Sequence, residues 1–264
     1  MQNRPIAALA AAALLASPAV AAAAPAAKAP KKAVKPIHVL VTNDDGVAAP
    51  GIDAVVRALA KRPKVRVTVV APATNQSGTG GKVTPGALTA KAATTIGGTR
   101  AVAVNGTPAD SVRYALEKTL RRDKPDLVIS GVNEGANLGP FVDLSGTVGA
   151  ARAAAQRGLP ALATSQGFGA PVDFASGVKQ TIAWFDAHRG KLARGTVFNL
   201  NTPSCSAGAV RGVKTTTSGT DMLGNDLLAG VDCAAGAAPA NGTDVAAFYA
   251  GFAALVKIPV RPSR

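Results

Sequence analysis

Short apolar runs rich in Val, Ile and Leu alternate along the chain with longer stretches in which apolar positions recur every three or four residues. The short runs are "IHVLVT" (37–42), "VRVTVVAP" (65–72), "AVAV" (101–104), "DLVIS" (126–130), "PALATS" (160–165) and "TVFNLN" (196–201). Bounded by Gly, Pro or Asn, they predict β-strands. Between them "GIDAVVRALAKR", "PADSVRYALEKTLRR", "GTVGAARAAAQRG" and "DFASGVKQTIAWFDAHRG" predict helices. Alternation of the two kinds implies an α/β fold, with a mostly parallel sheet and helices on both faces. Thr107 before Pro108, with Asp110 three positions on, reads as a helix start. Past Pro203 the pattern thins to a strand at "GVKTTT", a Gly/Ala-rich loop and a last helix-to-strand unit, "DVAAFYAGFAALVKIPV".

Parallel sheets bind ligands in the crevice beyond the carboxyl ends of their strands, so the residues after each strand carry the candidate chemistry. The first run ends on Asn43, Asp44, Asp45 and Gly46. The second opens into "APATNQSGTGG", which contains Ser77, and the fourth into "SGVNEGANLG", with Asn133 and Asn137. "DLSGTVG" adds Ser145, Gly146 and Thr147. Two adjacent carboxylates in an apolar setting cannot both stay ionised without a cation beside them. Oxygen donors from Asp, Ser and Asn, with no His or Cys nearby, suit Mg²⁺, Mn²⁺ or Ca²⁺. An Asx-turn, one Asp binding backbone amides and the other solvated, is the alternative for "NDDG". "SGTVG" at a helix start offers backbone N–H groups and two hydroxyls, an arrangement suited to phosphate.

Other chemistries fail on spacing. "SGTGGKV" is not a phosphate loop, because Gln76 stands where the first glycine belongs and Val83 where Ser or Thr should follow the lysine. The chain has no G-x-S-x-G elbow. Its two histidines, His38 inside a strand and His188 at a helix end, leave a Ser-His-Asp hydrolase without a base.

Length and composition narrow the class further. With 264 residues, 47% hydrophobic and 17% charged, the chain can bury one full-sized α/β core. A net charge of +14 would draw it toward phosphates or nucleic acid, but the Lys and Arg are scattered and only 4% of residues are aromatic, so no specific nucleic-acid partner is expected. Residues 1–24 combine Arg4, an apolar Ile/Ala/Leu stretch and small residues at Ala19-Val20-Ala21, which reads as a signal peptide. Residues 25–36 read as an Ala/Pro/Lys linker and 37–264 as the folded domain. The leader's apolar part is too short and too alanine-rich for a membrane span, so the expectation is an exported, periplasmic or secreted protein. In an oxidising compartment Cys205 and Cys233 either pair or remain two small core residues; neither has a metal-site spacing.

Taken in order, "HVLVTNDDGVAAPGI", "VVAPATNQSGTG", "NGTPADSVRYAL", "PDLVISGVNEGANLG" and "LSGTVGAARAA" resemble the SurE family of survival proteins, metal-dependent nucleotidases. The resemblance spans about Ile37 to Ser165 and returns in "FNLNTP" and "GTDVAAFYAGFAALVKIPV". It implies a Rossmann-like core, a three-layer sandwich, and a 5′-nucleotidase that hydrolyses nucleoside 5′- and 3′-monophosphates with a metal-activated water. One divalent cation, Mg²⁺ or Mn²⁺ ahead of Ca²⁺, would be held by Asp44, Asp45, Ser77 and Asn133, the two aspartates also serving catalysis. Asn43, Gly46, Asn137, Ser145, Gly146 and Thr147 would contact phosphate or substrate, with the general base unassigned.

The chain departs from the family pattern at Ala73, where an acidic residue is usual, at Leu144, where Tyr or His is common, and at Ala153, where a glutamate is expected. Lys82 is either a compensating phosphate contact or a solvated lysine. Between Val213 and Asp244 only a short Gly/Ala loop is expected in place of the family's oligomerising arm, with a Cys205–Cys233 disulfide stapling it; a homodimer stays open. Two other classes remain at this point: a metal- or nucleotide-binding protein of the same fold without turnover, and a nucleic-acid binder driven by charge.

Overall fold

In the computed structural model, which describes Gln2 and residues 36–169 and 174–260, the first half runs β1 (Ile37–Thr42), α1 (Pro50–Ala60), β2 (Val65–Pro72), β3 (Thr89–Thr94), β4 (Arg100–Asn105), α2 (Pro108–Tyr114) and β5 (Leu127–Glu134). There follow α3 (Gly146–Gln156), β6 (Ala161–Gln166), α4 (Ala175–His188), β7 (Val197–Thr202), β8 (Cys205–Ala207), β9 (Val213–Thr216), β10 (Val231–Asp232), α5 (Asp244–Tyr249) and β11 (Ala253–Ile258). Nine strands form one sheet in the order β3-β4-β2-β1-β5-β6-β7-β11-β9, and β8 pairs with β10 in a small second sheet. The strands from β4 to β7 in that order are mutually parallel, whereas β3 pairs antiparallel with β4 and β11 antiparallel with β7; β9 runs parallel to β11. The leader read over 1–24, the linker over 25–35 and the helix start at Asp173 lie outside the described residues.

Central strands are covered on both sides, which is why β1 is buried on both faces through the apolar run Val39-Leu40-Val41. Successive side chains of a strand point to opposite faces. Val39 and Val41 accordingly pack with Ile52, Val55, Val56 and Leu59 of α1 and with Ile182 and Phe185 of α4. Leu40 joins Ala109 and Val112 of α2 and Val148, Ala151 and Ala154 of α3 on the other face. Three layers result, as the resemblance implied. Thr107 caps α2 in a reciprocal capping box with Asp110, and Pro108 occupies the first turn.

Several boundaries differ from the sequence reading. β5 continues to Glu134 through an irregular register between Ser130 and Asn133, so Asn133 belongs to the strand rather than to the loop after it. "PADSVRYALEKTLRR" is α-helical only to Tyr114 and continues as a π-helical turn over Ala115–Thr119. β3 went unread because its mostly exposed "TAKAAT" carries little apolar signal; it is an edge strand held by pairing with β4. The strand read at "GVKTTT" is β9, which pairs with β11, whereas the loop expected after it includes the unread β10.

Chain order places the crevice. β2 lies on one side of β1, and after β4 the chain crosses back to set β5 on the other side. The carboxyl ends of β1 and β5 therefore flank a topological switch point, the location at which open α/β sheets bind ligands. At the far edge Cys205 and Cys233 form a disulfide with a Cα–Cα distance of 5.4 Å, closing 28 positions of chain across β8 and β10. Replacing both cysteines by serine is expected to cost about 3 kcal/mol of stability, most of it recovered by no other contact. Thermal unfolding of the doubly substituted protein, and of the unsubstituted protein with reductant, checks this; equal midpoints in all three samples would count against it.

Candidate functional site

Directly after β1 the chain turns through Asn43–Gly46, closed by Asn43 Nδ2 donating to the Gly46 carbonyl at 2.8 Å. Gly46 has φ +104°, and a Cβ on it would stand 3.1 Å from the Thr74 carbonyl carbon. The loop after β2 thus approaches too closely for any side chain. Its Gln76 N–H donates to the Asp44 carbonyl at 2.7 Å, which brings the neighbouring Ser77 to this end of the sheet. Ser77 is exposed, and its own N–H donates to Asn75 Oδ1 at 2.8 Å.

Asp44 is 3% exposed, and its Oδ1 accepts the Thr147 hydroxyl at 2.6 Å. Thr147 lies in the first turn of α3, where Ser145 is the N-cap and its Oγ accepts from the Val148 N–H at 3.1 Å. A Cβ on Gly146 would fall 2.8 Å from Asp44 Cβ, so glycine is what lets the helix start rest on the aspartate. The first N–H groups of a helix have no intrahelical partner. With Val148 N–H taken by the cap and the Thr147 N–H turned to the Asp44 carboxyl, that of Gly146 is left without an intrahelical partner.

Asp45 is partly exposed, with Oδ2 at 3.4 Å from the Glu134 N–H. Asn133 is buried, and its Nδ2 donates to the Gly135 carbonyl at 2.6 Å. Asn137 Nδ2 donates to Ser165 Oγ at 2.9 Å and lies 3.5 Å from Thr147 Oγ1. A cleft of about 510 Å³ opens from Asp45 between Gly46, Thr74 and Asn75 on one side and Glu134 and Phe174 on the other.

Burial raises the Asp44 carboxyl above its ordinary range despite the Thr147 hydroxyl. Asp45 is pushed up to about 7, first by burial and then by the Asp44 charge beside it, with Glu134 adding to the repulsion. Among the described residues no Lys, Arg or His forms an ion pair with either carboxylate. Asn43 Oδ1 is buried without a hydrogen-bond partner. Two uncompensated carboxylates, an orphaned amide oxygen and a hydroxyl on the adjacent loop form a donor set that fits a hard divalent cation. Among the described residues no three His, Cys, Asp or Glu side chains form a metal cluster, so amide and hydroxyl oxygens would have to complete the coordination.

Of the residues read from sequence, Asn43, Asp44, Asp45, Gly46, Asn133, Asn137, Ser145, Gly146 and Thr147 converge at this end of the sheet. Ser77 is joined to them through its loop's backbone. The Thr147 hydroxyl proton is directed to Asp44, so its side chain orients a carboxylate rather than facing an anion as a free donor. Lys82 is exposed, and its backbone carbonyl accepts the Thr107 hydroxyl, tying the loop to the start of α2. Leu144 is 60% exposed at the rim, Ala73 lines the cleft, and Ala153 is buried in α3. Sequence reasoning passed over Glu134, Ser165 and Asn201; the available signal was the polar ending of strands whose middles are apolar.

The family model described as Survival protein SurE matches residues 39–225. A protein of Symbiobacterium thermophilum named 5′-nucleotidase SurE is 40% identical over 189 residues, covering 69% of this chain and 72% of the relative. One of the same name from Moorella thermoacetica is 42% identical over 198 residues, covering 74% and 75%. The crystal structure of the SurE protein from Aquifex aeolicus superposes with a TM-score of 0.70 at 30% identity, covering 85% of this chain and 94% of that one.

The raised Asp45 carboxyl has a consequence for stability. Its folded value of about 7 exceeds the ordinary carboxylate value, so the folded protein binds the proton more tightly than the unfolded chain. Stability without added metal should therefore fall as pH rises from about 4 to about 7 and then level off. In chelator at pH 8, Asp45→Asn is expected to raise the melting midpoint by about 4 °C or more, with the gain vanishing near pH 4. Melting curves across that range check the sign; a variant less stable at pH 8 would contradict it.

Proposed function

The chain belongs to the SurE family, and on that premise we propose that it is an exported, metal-dependent 5′-nucleotidase that releases phosphate from nucleoside 5′- and 3′-monophosphates. The observation that carries this reading is the pair of Asp44, buried beneath the first turn of α3, and the partly exposed Asp45 beside it, with no ion pair to either among the described residues. Relatives that match most of this chain bear the name 5′-nucleotidase SurE, which supports the activity. Export rests on the leader-like pattern of residues 1–24. Among the described residues no helix is long and apolar enough to cross a membrane.

Asp44 and Asp45, with Ser77 and Asn133, would hold the divalent ion, which supplies Lewis acidity toward a phosphoryl oxygen and the attacking water. The rest of the site works through the chain's own groups. The Gly146 N–H and the positive end of α3 receive the phosphoryl oxygens. Because the helix is already pinned to Asp44, this end need not reorganise as charge builds on those oxygens. Thr147 keeps one Asp44 oxygen engaged through its hydroxyl, and the other lies beside Gly146. Asn137 extends the same donor surface from the loop after β5. The cleft beside Asp45 has room for the leaving group, with the Phe174 ring as its apolar wall.

Phosphate release from a panel of nucleoside monophosphates with Mg²⁺ or Mn²⁺, and then with chelator, tests the proposal. Activity should require the metal, and Asp44→Asn should lower turnover about 100-fold or more while the protein stays folded. Metal-independent turnover, or near-normal turnover in the variant, would remove the carboxylate pair from the mechanism. Binding of nucleotide without release would point to the non-catalytic alternative. For export, the mature amino terminus is expected close after Ala21, read by mass spectrometry of the protein recovered outside the cytoplasm; an intact Met1 end would refute it.

A further inference from the structure

Polar residues cross the sheet in one lateral row at its carboxyl end. Asn133 of β5 pairs with Ser165 of β6, and Ser165 pairs with Asn201 of β7. Laterally paired residues of neighbouring strands share a face, and Asn199, two positions back from Asn201, shares it too. Asn199 and Asn201 are fully buried. A buried carboxamide is costly unless its hydrogen bonds are made; Asn201 makes its bonds to one residue of the loop after β5, and Asn199 directs its Nδ2 to the same residue while its Oδ1 has no partner. The Asn137 N–H donates to Asn201 Oδ1 at 2.7 Å, and the Asn137 carbonyl accepts from Asn201 Nδ2 at 3.1 Å and Asn199 Nδ2 at 2.9 Å. Asn201 therefore grips Asn137 on both its N–H and its C=O side, which fixes its backbone torsions and hence the direction of its side chain. That side chain reaches Ser165 and Thr147, and Thr147 in turn holds Asp44.

We propose that Asn201, assisted by Asn199, is a positioning residue for hydrolysis that acts through Asn137 on the Thr147–Asp44 pair. The proposal rests on the nucleotidase reading for its reaction, but the clamp itself is a statement about Asn137. If the clamp only filled a gap in the core, its loss would lower stability without selective effect on turnover. If it positions the site, its loss resembles misplacement of reacting groups, where small displacements cost turnover rather than binding.

The test pairs kinetics with amide exchange on the full-length, metal-loaded protein, using the nucleoside monophosphate that the unsubstituted enzyme turns over fastest. Asn201→Ala should lower kcat by about tenfold or more with little change in KM, and should speed hydrogen exchange at the Asn137 amide. Combined with Asn137→Ala, it should lose at most about threefold more than Asn137→Ala alone, because coupled residues are not additive. Asn199→Ala, which removes one of the three bonds, should give a smaller loss of the same kind and serves if Asn201→Ala folds poorly. Additive losses in the double variant, or unchanged exchange at Asn137 in both single variants, would overturn the clamp while an active unsubstituted enzyme keeps the functional reading. An unsubstituted enzyme inactive on every nucleoside monophosphate would overturn the functional reading and with it the role in hydrolysis.

Discussion

Asp44 is a carboxylate buried beneath the first turn of a helix, and the architecture of this end of the molecule follows from accommodating it. Thr147 donates to one oxygen, Gly146 yields the space beside its Cβ, and Gln76 ties the β2 loop to its carbonyl. The Thr147 hydroxyl and the backbone N–H groups of Asp44 and Thr147 offset only part of the cost of removing the carboxylate from water. Asp45 beside it makes the deficit larger, and its raised carboxyl expresses that deficit. A proton taken up by Asp45 offsets that deficit, and the proposed cation would do the same.

The contrast with the protein's other buried carboxylates sharpens that reading. Asp53 in α1 accepts from the Thr95 hydroxyl and the Gly97 N–H and pairs with Arg57 at 2.9 Å. Asp110 in α2 accepts from Thr84 and the Thr107 N–H, with Arg113 at 3.5 Å. Each is surrounded by donors and one guanidinium; the fully buried Asp244, with no ion pair among the described residues, accepts the N–H groups of Gly139, Gly219 and Val245 instead. Asp44 and Asp45 form no ion pair among the described residues although the chain carries 29 Lys and Arg. Two adjacent carboxylates without a cation set this pair apart from the single carboxylates of Asp53, Asp110 and Asp244.

Strand middles and strand ends divide the work. Residues such as Leu40, Val41, Ile129 and Leu162 are fully buried between helical layers and supply the apolar area that holds the sheet. About three or four positions further along, β1, β5 and β6 lead to Asp44, Asn133 and Ser165, and β7 carries Asn201 near its own end. The core can therefore carry polar and unpaired groups at one rim without losing its cohesion, and the polar row lets β7 act on a loop that belongs to β5.

The alternating strands and helices were legible because two-residue and 3.6-residue periodicities record local burial. The aspartate pair was legible because adjacent carboxylates at a strand end conflict with an apolar setting whatever the fold. β3 and β10 were not, since an exposed edge strand and a two-residue strand leave too little apolar pattern. Nor could the sequence assign partners. That the Thr147 hydroxyl serves Asp44, 103 positions away, and that Asn201 grips Asn137, 64 positions away, depends on the order in which strands are laid side by side. By itself the sequence determined which residues are buried and which chemistry lies at the strand ends. Only the tertiary structure decided which of those groups hold one another, because strand order is a non-local property that no local period encodes.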